Sequence, residues 1–125
     1  MHRRNIVMLS KIITGIILSL AFISPASAQA RCGIASYYGI GDGFHGRTAA
    51  NGSRFNTYAH TTAHKHLPFG TRIKVVNPST KRSTVVVVTD RGPFIRGRIL
   101  DLSYAAFRDI APASQGLVDV CYKVL

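Results

Sequence analysis

Hydrophobic and polar positions alternate in short runs along much of this chain, which is the pattern of β-strands. Between Thr71 and Asn77, branched apolar residues alternate with basic ones, so the segment is predicted to be a half-exposed strand. The same alternation returns between Leu117 and Val124, the last predicted strand. A shorter strand is predicted near the start of the patterned region, from Gly33 to Tyr38.

The most apolar run consists of valine alone, from Val85 to Val88. β-Branched side chains pack well in strands, and an unbroken run predicts a strand that is buried on both faces. The strand must end within Thr89 to Pro93, because Pro93 fixes its own φ and lacks an N–H, while Gly92 tolerates φ > 0. A further strand is predicted from Arg98 to Leu102.

Two segments favour short helices. Ser103 can cap a helix from Tyr104 to Ile110, which has apolar residues at helical spacing and is blocked by Pro112. One helical turn is also predicted within Thr61 to His66. With about five or six short strands, long loops and no regular βαβ unit, the pattern favours a mainly β fold, a small barrel rather than a sandwich.

The beginning of the chain has the features of a secretory signal peptide. A basic start precedes the apolar run Ile12 to Ile23, and Ala26-Ser27-Ala28 supplies the small residues of a cleavage site. We therefore expect residues 1–28 to be the signal peptide and residues 29–125 to be a periplasmic domain. The apolar run is shorter than the ~20 residues of a membrane span. Arg31 stands before Cys32, where a lipidation signal has a small residue, so no lipid anchor is expected.

Net charge narrows the choice of binding partner. Residues 29–125 retain 13 of the 16 Lys and Arg residues and all five acidic residues, a formal charge of +8. Long-range attraction favours an anionic polymer as the partner of so basic an exported domain. Nucleic acid is not expected, because no nucleic-acid-binding motif is present.

Cys32 and Cys121 lie near the two ends of the expected domain and are the only cysteines of the chain. In an oxidising compartment they are expected to form a disulfide. The bond would close a loop of nearly the whole domain, which the chain-entropy model values at roughly 4–5 kcal/mol. A catalytic cysteine is disfavoured, because neither residue has a base beside it in the sequence.

Seven short motifs together resemble the RlpA family, the rare-lipoprotein-A-like proteins. They are GIASYYG at 33–39, FHGR at 44–47, ANG at 50–52, TAHK at 62–65, LPFGT at 67–71, DRGPF at 90–94 and GRILDLS at 97–103. The resemblance implies a six-stranded double-psi β-barrel with one or two short helices. It also implies an endolytic transglycosylase that cleaves peptidoglycan glycan strands, preferably strands lacking stem peptides, and leaves 1,6-anhydro-N-acetylmuramic acid ends.

The same resemblance assigns roles to individual residues. It places the catalytic acid at Asp90 and makes His64 a residue of the glycan groove. The family typically has a glutamate and an aspartate where this chain has Ser53 and Asn56, so two carboxylates of the groove are absent. An alternative therefore stays open, in which the barrel binds glycan or loosens the wall, as expansins do, without catalysis.

Asp90 has chemistry that suits a lytic reaction. It stands where a buried strand breaks into a turn, and partial burial favours the protonated form of a carboxyl group. In lytic cleavage the sugar's own 6-hydroxyl attacks, so one carboxyl can serve as acid and base and contribute about 10²–10⁴-fold. The competing interpretation is that Asp90 caps the turn by accepting hydrogen bonds from the N–H groups of Arg91 and Gly92.

Asp101 is a second carboxylate of interest. Its position between Leu100 and Leu102 favours a structural role, paired with Arg98 or Arg91, over chemistry. If Asp101 approached Asp90, repulsion between like charges would favour protonation of one of them.

Three other side chains are candidates for substrate binding: Tyr38, Ser53 and Arg91. Tyr37 and Tyr38 point to opposite sides of their strand, so one is expected in the core while the other stacks on a sugar ring. Arg91, like the nearby Arg96, either binds wall anions or belongs to a solvated face.

No metal or cofactor is expected. His60, His64 and His66 are closely spaced, but a zinc site needs three or four convergent ligands, and this stretch has no cysteine or glutamate. His60 and His66 are expected at the surface. The protein is expected to act as a monomer on peptidoglycan glycan strands, with division or wall-assembly proteins as candidate partners.

Overall fold

A computed structural model describes residues 29–125, and the predicted signal peptide lies outside the described residues. These residues form six strands and one α-helix. The elements in chain order are β1 (Arg31–Tyr38), β2 (Thr61–Ala63), β3 (Arg72–Val76), β4 (Ser83–Asp90), β5 (Arg98–Ser103), α1 (Tyr104–Ile110), a 3-10 turn (Ala113–Gln115) and β6 (Val118–Val124).

The strands close into a barrel in the order β1-β5-β2-β4-β3-β6. The β1–β5 and β2–β4 pairs are parallel, and the other four pairs are antiparallel. A closed ring leaves no unpaired strand edge, which removes the usual template for strand-to-strand aggregation. The predicted mainly β barrel is confirmed.

The core fills the inside of the barrel with alternate residues of the strands. Helix α1 closes the core with Ala106, Phe107 and Ile110, all fully buried. The predicted cap of this helix is confirmed, because Ser103 Oγ accepts a hydrogen bond from the N–H of Ala106 at 3.3 Å. Across residues 29–125, no helix combines the length and hydropathy needed to cross a membrane.

Two local predictions were wrong. The valine run is buried on one face only: Val86 and Val88 are fully buried, whereas 37% of Val85 is exposed, because the other side of β4 is the outer wall of the barrel. The segment Thr61 to His66 does not contain a helical turn. Its first three residues form β2, which is held between β4 and β5 by pairing with residues distant in sequence.

The predicted disulfide is confirmed. Cys32 of β1 and Cys121 of β6 are paired across neighbouring antiparallel strands, and their sulfur atoms are bonded. The bond joins positions 89 residues apart. By the loop-closure argument, it stabilises the fold by roughly 4–5 kcal/mol.

Candidate active site on the outer wall of the barrel

A register shift between β2 and β4 decides which way Asp90 points. Val86 and Val88 face the core, so regular alternation would also place Asp90 inside the barrel. Thr62 pairs with Val88, but the next residue, Ala63, pairs with Asp90, so β4 has one extra residue at this point. Residues that pair across a sheet share a face, and the bulge therefore turns Asp90 to the outer wall.

A second carboxylate lies on the same stretch of outer wall. Ala63 pairs with Asp90 on one side and with Asp101 of β5 on the other. Adjacent strands are about 4.8 Å apart, which places the backbones of the two aspartates about 10 Å apart. Both side chains are half-buried. The fold thus brings the two candidate acids to one surface, separated by the small side chain of Ala63.

The two oxygens of Asp90 have different surroundings. Oδ1 accepts hydrogen bonds from the N–H groups of Ala50 and Arg91, at 3.0 and 2.9 Å. Among residues 29–125, Oδ2 accepts a hydrogen bond only from the hydroxyl of Tyr38, at 3.3 Å. The turn-capping interaction exists, although the second N–H comes from Ala50 and not from Gly92. One oxygen is anchored, while the other keeps a lone pair available for chemistry.

Tyr38 is held as a hydrogen-bond donor to that second oxygen. Its ring stacks on the buried ring of Phe55, with 4.4 Å between centroids. Burial, and then the negative charge of Asp90, raise the pKa of the Tyr38 phenol well above its usual range. Tyr37 points the opposite way and packs against Phe107 at 4.8 Å, so Tyr37 is the member of the pair that belongs to the core.

Asp101 is held by a neighbouring hydroxyl. Ser36, its partner across β1 and β5, donates a short hydrogen bond to Asp101 Oδ1. Arg98 donates to the same serine oxygen at 3.3 Å. The predicted ion pair with Arg98 or Arg91 is not formed within residues 29–125. Ser36 stands between the charges instead, so the carboxylate and the guanidinium interact through a hydroxyl group.

Arg91 braces the connection between β2 and β3. Its Nη1 donates to the carbonyl oxygens of His64 and Leu67, at 3.1 and 2.9 Å. Its guanidinium carbon lies 3.9 Å from the centroid of the Phe69 ring, a cation–π contact. These contacts fix the backbone that follows β2, and substrate binding by Arg91 stays a prediction.

Ser53 and Asn56, the positions where the family typically has acids, both take part in turns. Ser53 is exposed, and its N–H and hydroxyl both donate to Asn51 Oδ1, at 2.9 and 2.6 Å. Asn56 Oδ1 accepts the N–H of Tyr58 at 2.9 Å. Short polar side chains favour such local bonds, and substrate binding by Ser53 stays a prediction.

His64 directly follows Ala63 and lies on a different surface from Asp90. Its side chain is only 4% exposed, and it reaches Tyr122 on the far side of the barrel. Nδ1 accepts the N–H groups of His66 and Leu67, at 3.1 and 3.0 Å. Because Nδ1 is an acceptor, the ring proton is on Nε2, which donates to the Tyr122 hydroxyl at 2.7 Å.

Every polar atom of the His64 ring is therefore occupied. Burial, followed by the positive charges of His66 and Arg91, lowers the pKa of His64 to about 4, so the ring is neutral at neutral pH. Only the backbones of the two predicted site residues meet, where the His64 N–H donates to the Asp90 carbonyl at 3.1 Å. A role for His64 in the glycan groove stays a prediction.

The sequence analysis did not single out Tyr122. The sequence feature that predicts its position is the alternation along β6, where Val118, Val120 and Tyr122 occupy every second position. The alternation places Tyr122 on the inward face of the barrel, where it is buried.

His60 and His66 lie at the surface, as predicted. His60 pairs with Asp109 at 2.8 Å, and His66 is exposed. Within the described part of the chain, no group of three or more His, Cys, Asp or Glu residues is placed to hold a metal ion.

A closed six-stranded barrel with two parallel strand pairs defines the protein as a double-psi β-barrel domain. Solved structures agree. The Streptomyces papain inhibitor superposes with a TM-score of 0.64 at 24% identity, covering 82% of this chain and 99% of that one. A mutant expansin from Clavibacter michiganensis, solved in complex with cellohexaose, gives 0.62 at 22% identity, covering 78% and 50%. These likenesses concern the fold alone.

Sequence comparison then identifies the family. The family described as "Lytic transglycolase" matches residues 30–122. The probable endolytic peptidoglycan transglycosylase RlpA of Nostoc sp. is 54% identical over 93 residues, 74% of this chain and 25% of that protein. The Helicobacter pylori (strain J99) endolytic peptidoglycan transglycosylase RlpA is 50% identical over 93 residues, 74% and 29%. The chain belongs to this family, as its motifs predicted, and spans between a quarter and a third of these relatives' length.

Proposed function

We propose that this domain is a lytic transglycosylase that cleaves peptidoglycan glycan strands and leaves 1,6-anhydro-N-acetylmuramic acid ends. The observation that carries the proposal is the outward-facing carboxylate of Asp90, with Oδ1 anchored by two N–H groups and Oδ2 held by one long hydrogen bond. The names of the relatives from Nostoc and Helicobacter support the same activity.

In this mechanism Asp90 acts first as an acid and then as a base. Oδ2 gives a proton to the glycosidic oxygen as the bond to the anomeric carbon breaks. The 6-hydroxyl of the same sugar attacks that carbon, and its proton passes to Oδ2, which restores the acid. No water has to be activated, so one carboxyl is sufficient, and proton transfer of this kind contributes about 10²–10⁴-fold.

The neighbouring groups orient this carboxyl. The N–H groups of Ala50 and Arg91 fix one oxygen, which leaves the other as the site of proton transfer. The Tyr38 hydroxyl holds Oδ2 when it is unprotonated, and the raised pKa of the phenol keeps its proton available. Asp101, held by the buried Ser36, extends the polar surface along the wall, where sugar hydroxyls would bind.

Charge and export suit the same substrate. The formal charge of +8 on residues 29–125 attracts an anionic polymer over long range. We also propose that residues 1–28 direct the domain to the periplasm, where peptidoglycan lies.

A second candidate function is glycan binding or wall loosening without cleavage. It is favoured by the use of Ser53 and Asn56 in turns, because neither side chain supplies the carboxylate that the family typically has at its position. Incubation of the protein with purified peptidoglycan, followed by mass spectrometry of the soluble products, separates the two candidates. We expect 1,6-anhydro ends. Binding to peptidoglycan without any such product would support the second candidate and overturn the first.

A further inference from the structure

One end of the barrel carries a basic cleft that the proposed chemistry does not use. Its volume is about 410 Å³, and His64 and Tyr122 form its inner wall. Arg31, Lys65 and His66 line it and are exposed. No acidic side chain of the described residues lines this cleft. The potential inside it is therefore positive, and an anion is the kind of ligand it favours.

A second depression next to this cleft also has a basic rim. This neighbour, about 330 Å³, shares Tyr122 and is lined by Lys74 and Lys123, again without an acidic residue. Within residues 29–125 the structure forms a single ion pair, between His60 and Asp109. The basic side chains of the first cleft therefore form no salt bridge within the described residues.

The inner wall offers an uncommitted hydrogen-bond donor. Because His64 donates its Nε2 proton to the Tyr122 oxygen, the tyrosine's own proton must point elsewhere. The hydrogen bonds of residues 29–125 include no acceptor for it, and only 6% of Tyr122 is exposed. Burial raises the pKa of this phenol, although Arg31 opposes the shift, so the group keeps its proton.

We propose that this cleft binds a carboxylate of the peptidoglycan strand, with Tyr122 donating a hydrogen bond and Arg31 and Lys65 supplying the charge. The ligand matches the donors, because a carboxylate accepts several hydrogen bonds and draws the basic rim around it. The N-acetylmuramic acid units of a glycan strand each carry one such group on the lactyl ether. The inference rests on the proposed function only for the identity of the polymer.

The position of the cleft agrees with a strand that also reaches Asp90. The two surfaces share a backbone contact, the hydrogen bond from the His64 N–H to the Asp90 carbonyl at 3.1 Å. Arg91 joins them further by binding the carbonyl oxygens of His64 and Leu67. The two sites are thus built on adjoining backbone, and we expect one extended glycan strand to contact both surfaces.

The test compares two ligands that differ only in the carboxyl group. Glycan strands freed of peptides are titrated into the Asp90→Asn variant by calorimetry, beside strands whose carboxyl groups have been reduced to alcohols. We expect the reduced strands to bind at least about tenfold more weakly, because each charge-assisted hydrogen bond is worth about 1.5–3 kcal/mol. Equal affinity for the two ligands would overturn the proposal.

Variants then locate the effect. Tyr122→Phe in the same background should weaken binding of intact strands about fivefold, the loss of one hydrogen bond, and leave the reduced strands unaffected. Arg31→Gln with Lys65→Gln should weaken intact strands at least about tenfold. Arg82→Gln removes an exposed charge elsewhere, in the loop before β4, and should change nothing.

If Tyr122→Phe does not fold, the double variant Arg31→Gln with Lys65→Gln still tests the site, because it changes only exposed side chains. A loss in Arg82→Gln equal to that in the double variant would show charge attraction without a site. Stronger binding to phosphatidylglycerol vesicles than to intact strands would make the ligand a phosphate and also overturn the proposal. Failure of the proposed activity can be distinguished from failure of this site. If binding depends on the carboxylate but the unsubstituted protein forms no anhydro products, the proposed activity is wrong and the proposed site is still supported.

Discussion

Asp90 and His64 differ sharply in their surroundings, although their backbones are joined by a hydrogen bond. Asp90 is half-buried on the outer wall, and one of its oxygens has a single partner at 3.3 Å. His64 is 4% exposed at the end of the barrel, and both of its ring nitrogens are fully used. Two residues at neighbouring strand ends therefore differ: Asp90 has an oxygen available for chemistry, and His64 has a ring buried in hydrogen bonds.

The comparison shows how motif residues can be important for different physical reasons. A side chain with an available lone pair on an open wall should affect rate more than stability. A buried side chain with saturated hydrogen bonds should affect stability first, and activity only through the structure that it supports. Variants of the two residues should therefore change different measurements.

The largest effect is expected for Asp90→Asn. The amide oxygen can still accept the N–H groups of Ala50 and Arg91, but the side chain can no longer give up and regain a proton. The rate at which anhydro ends form, measured by mass spectrometry, should fall about 10²–10⁴-fold. The midpoint of thermal unfolding should change little. Asp119→Asn, at an exposed position on β6, is the matched control and should retain full activity. Full activity of Asp90→Asn would refute its role as the acid.

His64→Ala should instead reduce the free energy of unfolding. The substitution leaves a cavity and removes the partners of two backbone N–H groups and of the Tyr122 hydroxyl. We expect a loss of about 3 kcal/mol in urea denaturation. The exposed neighbour His66 provides the control, since His66→Ala should cost less than about 0.5 kcal/mol. A stable but inactive His64→Ala variant would mean that His64 acts in catalysis and that the contrast drawn here is wrong.

The pH dependence of stability should report the same buried ring. Folding lowers the pKa of His64 from 6.5 to about 4, so between these values the unfolded chain binds the proton and the folded chain does not. The contribution is present above pH 6.5 and is lost as the pH falls toward 4, by roughly 2–3 kcal/mol.

This loss can be isolated by urea denaturation of the unsubstituted protein and His64→Gln across that range. The difference between their stabilities should shrink as the pH falls, since the other titrating groups contribute to both curves. Parallel curves would show that His64 is not a buried neutral histidine.

Tyr38→Phe should have the smallest effect of the set. It removes the long hydrogen bond to Asp90 Oδ2 but keeps the ring that stacks on Phe55. We expect turnover to fall about tenfold, the worth of one hydrogen bond, at unchanged stability. Tyr104→Phe, on helix α1, is the matched control for loss of a phenol. An equal loss of turnover in both variants would show that the Tyr38 hydroxyl has no specific role in the reaction.

Local patterns were sufficient to predict most of the strands and the helix. The alternation in β3 and β6, the end of β4 before Gly92 and the Ser103 cap all depend on neighbours in sequence, so the sequence displays them directly. The disulfide was predictable because the chain has two cysteines, which have only each other as partners if the domain is exported as predicted.

Features that depend on distant pairing could not be predicted in this way. Strand β2 lies in a polar segment without an apolar run, and it exists because β4 and β5 offer hydrogen bonds on both sides. The outward direction of Asp90 and the burial of His64 follow from the register of those same pairs. The family motifs singled out both residues as candidates, and their roles stay predictions, because the motifs carry no information about which face each one occupies.

The bulge at Thr89 makes the pairing of β2 with β4 decide which face of the barrel carries the Asp90 carboxylate. If Ala63 were paired with Thr89 instead of Asp90, regular alternation would turn Asp90 toward the valine-lined interior. The barrel would remain closed, but this carboxylate would be absent from its outer wall. A homologue that has every motif but pairs evenly at this point is therefore expected to lack the proposed activity.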